Sequence, residues 1–266
     1  MNKTKILEAI GNILSYLPQK LLRSLEIVAQ VAQGKGGGGD SVLREVRTIV
    51  KLAHKLGLDE LNVVDCGANV GTWSLALARS FPRATIIAFE PSKFAFEILK
   101  INTLGIPSIS IENLAAGKIS HQANLIGKEP GWGGASLIAR DSLKMDLGFS
   151  ENVTVVDLDT FFRTRDLPRP NVLKIDTEGS ELDVLLGASS ILENLHIIQF
   201  EFASTNIDSR NYFLDYFNLL TDAGFTLARM TPRGLQDIIR YDPREEVFAT
   251  SNFVAYRKKI ASIVVI

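Results

Sequence analysis

Apolar positions along the chain follow two periods. Ile6, Ala9, Ile10, Ile13, Leu14 and Leu17 recur at helical spacing until Pro18 stops the pattern. Leu21, Leu25, Val28 and Ala32 continue it as a second helix. The pattern predicts that both helices pack on the main domain; contact with a membrane surface, helped by Lys3, Lys5, Lys20 and Arg23, and a dimer contact are the alternatives. Residues 33–40 read QGKGGGGD, which suits a flexible linker, with a mobile flap over an active site as the second reading. Ser41 opens a third helix over 42–56, closed by Gly57.

Beyond this point short apolar runs alternate with helical patterns. Strands are predicted at 61–65 (LNVVD), 85–90 (TIIAFE), 108–114, 172–176 (VLKID), 197–202 (IIQFEF), 225–230 and 253–257 (FVAYR). Between them Trp73, Ala76, Leu77 and Phe81 mark one helix face, and further helices are expected at 92–104, 182–192 and 211–221. Alternating strands and helices imply an α/β fold, a parallel sheet with helices on both faces. Residues 1–57 then form an N-terminal helical appendage and 58–260 the main domain. The stretch from about 120 to 156, containing GKEPGWGG, breaks the alternation and is a candidate substrate-recognition insertion. The apolar end IASIVVI, 260–266, fits a strand or a dimer contact.

Composition narrows the function classes. With 29 basic and 30 acidic residues the net charge is -1, so no global field attracts polyanions and no nucleic-acid partner is expected. The one cysteine, Cys66, allows neither an intrachain disulfide nor a multi-cysteine metal cluster, which fits a reducing, cytoplasmic setting. No apolar run is long enough to span a bilayer, and residues 1–8 do not read as a signal-peptide core. Peripheral contact with a membrane surface and a homodimer stay open.

The candidate chemistry begins with VVDCGANVGTWS, 63–74. A buried strand ends at Asp65, Gly67 and Gly71 follow, and a helix opens near Thr72, a turn that lets a ligand approach the backbone. The pattern D-x-G-x-x-x-G fails the dinucleotide fingerprint. A carboxylate where a diphosphate would lie repels it by roughly 4 kcal/mol at 4 Å and an effective dielectric of 20. S-adenosylmethionine has no phosphate and carries an ammonium and a sulfonium, both favoured by Asp65. Glu90 ends the second strand 19 residues after Gly71, where a carboxylate accepts from both ribose hydroxyls, and Pro91 keeps that strand end extended. Leu114 and Ala115, in NLAAG, leave room for a flat adenine ring. The expected cofactor site comprises Asp65, Gly67, Ala68, Asn69, Gly71, Glu90, Pro91, Ser92, Leu114, Ala115 and Asp176.

With these residues assembled, the chain resembles the FkbM family of class I methyltransferases. The matching pieces are VVDCGANVGTWS at 63–74, FEPS at 89–92, NLAAG at 113–117, VVDLDTFF at 155–162 and LKIDTEGSELDVLLGA at 173–188, with AGFTL at 223–227 and FVAYR at 253–257. LKIDTEG is the most diagnostic, and the resemblance covers about residues 60 to 257. It implies a Rossmann-like sheet of seven mostly parallel strands with the last inserted antiparallel. It also implies S-adenosylmethionine as donor, and O-methylation of hydroxyls on natural products or sugars.

Methyl transfer from a sulfonium is an in-line displacement and largely a positioning task, but an alcohol nucleophile must also lose a proton. Asp176, at the end of the VLKID strand, is the candidate base or substrate anchor, with Glu178 supporting it. The plainer reading is that Glu178 and Glu181 favour a helix N-terminus while Asp176 orients a nearby loop. His121, in the insertion, is the alternative base. Asp176 and Glu201, at neighbouring strand ends, form a candidate Mg²⁺ pair, and Trp132 could stack on a sugar. The partner this implies is a small-molecule or glycan acceptor: a sugar, glycolipid or secondary metabolite. The rivals are a nicotinamide-dependent oxidoreductase and a non-catalytic scaffold of the same fold.

Overall fold

The computed structural model describes residues 2–36, 42–143 and 147–258. The predicted N-terminal helices form as α1 (Lys3–Leu14) and α2 (Gln19–Ala32), yet neither contributes a buried residue. The expected packing of both on the domain does not occur. What docks is the segment after α2. Lys35 is buried and donates to the Arg244 carbonyl at 2.9 Å, and the Gly36 N–H donates to the Thr250 carbonyl at 3.1 Å. The start of the glycine run is therefore tied down, contrary to a loose linker. The rest of that run, the Ser41 helix start and IASIVVI lie outside the described residues.

In α3 (Val42–Leu56), Val46, Ile49, Leu52, Ala53 and Leu56 recur on one face and are buried. They join the core on one side of the main sheet, and Gln199 donates to Glu45 at 2.6 Å. This helix, assigned to the appendage by the glycine run, packs as part of the domain.

The alternation follows as β1 (Leu61–Cys66), α4 (Thr72–Ser80), β2 (Ala84–Phe89), α5 (Lys93–Asn102) and β3 (Ile109–Glu112). Next come β4 (Ala115–Ala116), β5 (His121–Gly127), β6 (Phe149–Val156), α6 (Leu158–Arg165), β7 (Val172–Ile175), α7 (Glu181–Leu186) and β8 (Ile197–Phe202). The chain closes with α8 (Thr205–Ser209), α9 (Phe213–Asp222), β9 (Thr226–Thr231), β10 (Gly234–Ile238) and β11 (Ser251–Tyr256). The helix predicted over 182–192 ends at Leu186; Ala188, Ile191 and Leu192 keep its apolar spacing and are buried, but in turns.

The main sheet has the order β10-β9-β11-β8-β7-β1-β2-β3. Strands β3, β2, β1, β7 and β8 pair in parallel, and β11 lies antiparallel between β8 and β9. These are the seven strands the resemblance implies. An eighth, β10, pairs antiparallel with β9; its sequence GLQDI is too polar to read as a buried strand. Along β1 successive side chains face opposite ways. Leu61 and Val63 join the core beneath α3 and α4, while Val64 and Cys66 join the core beneath α6, α7 and α9.

The strand order reverses at β1, with β2 on one side and β7 on the other. That reversal opens a crevice beyond the carboxyl ends of the strands. The insertion over 120–156 folds as a hairpin of β5 and β6, joined in parallel by β4 into a second, three-stranded sheet. Its GWGG loop hangs over the crevice.

Candidate active site

The crevice encloses about 180 Å³ and is lined by Gly67, Asn69, Glu90, Pro91, Ser92, Leu114, Ala115, Trp132, Asp176, Glu178 and Glu201 among others. The sequence singled out all of these. Ala95, Ala116, Leu125, Gly131, Gly133, Ala135, Leu137 and Thr177 complete the wall. Ala95, Ala115 and Ala116 follow the ends of β2 and β3 and form a shelf of small side chains.

Glu90, at the end of β2, is 7 % exposed. Its Oε2 accepts from the Asn69 N–H and its Oε1 from the Ser92 N–H, each at 2.8 Å. Asn69 reaches this position through left-handed backbone, φ 49°. Asn113 donates to the Glu90 and Pro91 carbonyls at 2.9 and 3.0 Å and fixes the strand end. A carboxylate offers about four acceptor sites, so two remain for donors from the crevice. Burial pushes the Glu90 carboxyl up to about 7, against the pull of those two N–H groups.

Asp65 does not line the crevice. It is fully buried, accepts from the Ser74 hydroxyl at 2.7 Å and pairs with Lys174 Nζ at 3.0 Å. Lys174 also donates to the Gly67 carbonyl at 2.9 Å and lies 3.5 Å from Asp176 Oδ2. Burial alone would lower the lysine; Asp65 and Asp176 outweigh it and hold the ammonium above its usual range. Glu90 and Asp176, which do face the crevice, therefore stand where negative charge is expected of Asp65. Gly67 permits this close meeting of β1 and β7: at its φ of 78°, a Cβ would lie 1.9 Å from the Asp176 carbonyl oxygen.

The turn after β7 is wound around Glu181. This buried carboxylate accepts from the Thr177 N–H at 2.9 Å, the Thr177 hydroxyl at 3.2 Å and the Gly179 N–H at 3.0 Å. Burial, opposed by those donors, raises it to about 7. The wrapping places Glu178 in left-handed backbone, φ 57°, and leaves Asp176 with a side chain 43 % exposed. Glu178 pairs with Arg140 at 2.5 Å, and its carbonyl accepts from Ser136 at 2.7 Å, binding the turn to the insertion. Burial and the neighbouring Asp176 raise the Glu178 carboxyl. Glu201 is pushed to about 9 by burial and by the charges of Asp176, Glu178 and Glu181.

Trp132 closes the crevice from the insertion side. Arg140 lies 5.6 Å from its ring centroid and Lys128 5.1 Å. At Gly131, φ 73°, a Cβ would meet the Phe94 ring at 2.3 Å, so glycine lets the loop settle on α5.

Three other expected residues stand outside the crevice wall. His121 opens β5, four residues before the crevice residue Leu125, or ~13 Å along an extended strand. It is exposed, and its Nδ1 lies 2.9 Å from the Ile119 carbonyl oxygen. His121 is thus not placed to act as base. Ala68 is buried in the core, and Gly71 packs against Leu99. Among the described residues no group of three or more His, Cys, Asp or Glu side chains could hold a metal ion. Asp176 and Glu201 share the crevice, but the cation beside Asp176 is Lys174. The sequence pattern gives no site role to Lys174, Asn113 or Arg140, and gives Glu181 only a helix N-terminus. Of these, Lys174 carried a signal, a lysine inside an otherwise apolar buried strand.

A protein-family model described as the methyltransferase FkbM domain matches residues 65–227, from the end of β1 into β9. The chain belongs to the FkbM methyltransferase family. Membership makes it a methyltransferase with S-adenosylmethionine as donor, and the oxidoreductase alternative gives way. A fungal relative, methyltransferase 1 of Beauveria bassiana, is 28% identical over 200 residues, covering 65% of this chain and 76% of the relative. The hexuronic acid methyltransferase AglP of Haloferax volcanii is 27% identical over 156 residues, covering 59% of this chain and 62% of AglP. Among solved structures, a methyltransferase FkbM from Methylobacillus flagellatus KT is similar with a TM-score of 0.46 and 15% identity, covering 89% of this chain and 60% of that one. The FkbM chain thus spans less than two thirds of the archaeal relative and of the solved neighbour.

Proposed function

We propose that this FkbM methyltransferase transfers the methyl group to a hydroxyl of a sugar, glycolipid or secondary metabolite. The observation that carries the reading is the Asp176 carboxylate, held in the crevice by Lys174 and flanked by Glu178 and Glu201, with an indole opposite. The name of the Haloferax relative, a hexuronic acid methyltransferase, supports a sugar acceptor.

The crevice residues suit the donor. Glu90 keeps free lone pairs for the ribose hydroxyls, Leu114 and the alanine shelf admit a flat ring, and the acidic lining favours a cation. When bound, the donor supplies an electrophilic methyl group on a sulfonium. The protein aligns the acceptor oxygen, and Asp176 accepts the hydroxyl proton. Glu178, fixed by Arg140, holds the turn that carries Asp176. Trp132 covers the acceptor and keeps water out. With Lys174 as the local cation, this path needs no Mg²⁺.

Calorimetric titration with S-adenosylhomocysteine beside NADH tests the donor assignment. A panel of sugar and polyol acceptors, read by mass spectrometry, tests the acceptor. Binding of NADH alone would overturn the donor reading, and methylation confined to amines or carbons would overturn the hydroxyl assignment.

A further inference from the structure

Helices α1 and α2 leave their apolar faces uncovered. Leu7, Ile10 and Leu14 on α1, and Leu21, Leu25 and Val28 on α2, are all exposed, with Leu7 at 59% and Val28 at 66%. The turn between the helices carries Tyr16, 91% exposed. Folded chains rarely leave contiguous apolar surface of this kind without a partner. Helices of 12 and 14 residues are also marginal in water on their own.

Charge identifies the occupant. Between Asn2 and Gln33 lie Lys3, Lys5, Lys20 and Arg23 against Glu8 and Glu26. This segment is net positive on a chain whose overall charge is -1. Pairing two such segments would bring like charges together, whereas an anionic surface neutralises them. The apolar stripes with flanking cations and a tyrosine in the turn between the helices match the requirements of an interfacial helix. No helix among the described residues is long and apolar enough to cross a membrane.

We infer that the α1–α2 segment docks on an anionic lipid surface, lying in the interface together with Tyr16 from the turn between its helices. The chain directly after α2 is fixed to the catalytic domain. Lys35 is buried against the Arg244 carbonyl and lies 3.8 Å from Glu245, and Gly36 bonds to the Thr250 carbonyl. Docking therefore holds the domain beside the surface rather than on a loose tether. This inference does not depend on the acceptor proposed above.

The test is co-sedimentation of the full chain with phosphatidylcholine–phosphatidylglycerol vesicles and with phosphatidylcholine vesicles alone. The expected result is capture by the mixed vesicles, weakened by salt, and little capture by the neutral ones. Lys20→Gln with Arg23→Gln should reduce the anionic partition by about tenfold or more. Ile13→Asp with Val28→Asp should abolish it while leaving S-adenosylhomocysteine affinity and thermal midpoint unchanged, since both positions are exposed and outside the site. No capture by mixed vesicles would overturn the inference, as would capture that survives Ile13→Asp with Val28→Asp. A dimer in light scattering that this double variant dissolves, without vesicle binding, would instead make a second copy the occupant.

Discussion

Asp65 and Lys174 face each other across adjacent parallel strands, β1 and β7, as register partners, and their buried side chains meet at 3.0 Å. Removing one partner from such a pair leaves an uncompensated buried charge, at a cost of ~3–5 kcal/mol. Lys174→Met should therefore lower unfolding free energy by about that amount. The double variant Asp65→Leu with Lys174→Met should recover much of it. Denaturant titration measures both; a single variant within ~1 kcal/mol of the parent would show that the pair does not support the domain.

Glu90→Ala should weaken S-adenosylhomocysteine binding by about tenfold or more, and should cost ~1–3 kcal/mol of stability through the Asn69 and Ser92 N–H groups left unpaired. The ligand's hydroxyls donate to the ionised carboxylate, and in the free protein that carboxyl is raised to about 7 by burial. Affinity should then be full above pH 7 and fall toward about tenfold per unit below it. Calorimetry at several pH values would show this, and Glu90→Gln should flatten the dependence. A parent affinity constant from pH 6 to 8 would remove the ribose assignment.

Asp176→Asn should lower turnover by ~10²–10⁴-fold, the usual contribution of a positioned base. S-adenosylhomocysteine should still bind. Retention of parent activity would move the base elsewhere; His121→Ala, at the far end of β5, is expected to leave the rate unchanged.

Ligand-free stability should fall as pH rises. A carboxyl raised on folding contributes stability below its unfolded value and loses it as pH climbs through the folded value. Glu90 and Glu181, at about 7, and Glu201, at about 9, share this sign. Of these three, only Glu201 contributes to a decline between pH 7 and 9, so Glu201→Gln should reduce the slope of that segment of a thermal-midpoint series. A parent midpoint that rises from pH 7 to 9 would contradict the burial assigned to these groups.

EDTA should leave the initial rate intact, because Lys174 already supplies the positive charge beside Asp176. Loss of activity restored by Mg²⁺ would return Asp176 and Glu201 to the role of metal ligands.

Most of the architecture is legible in the chain because it rests on local period and strand-end chemistry. The apolar runs at 61–65, 85–90 and 172–176 place β1, β2 and β7 within a residue or so, and the glycine turn after Asp65 marks the crevice. Strand β10 escapes because an exposed edge strand needs no continuous apolar run. The glycine run misleads on α3, since a composition shift marks a linker but not which side of it packs with the core.

By itself the sequence determined that carboxylates would gather at the ends of β1, β2, β7 and β8, and that an indole-bearing insertion would lie near them. Only the tertiary structure decided which carboxylates face the ligand. Register across β1 and β7 gives Asp65 to Lys174, and the turn wound around Glu181 turns Asp176 outward. The bridge between Ile126 and Ser136 likewise folds back the loop that carries Trp132 to the crevice, while His121 stays at the far end of β5. A side chain's period is set by its own strand, but its partner is set by residues about a hundred positions away, brought alongside only when the sheet closes.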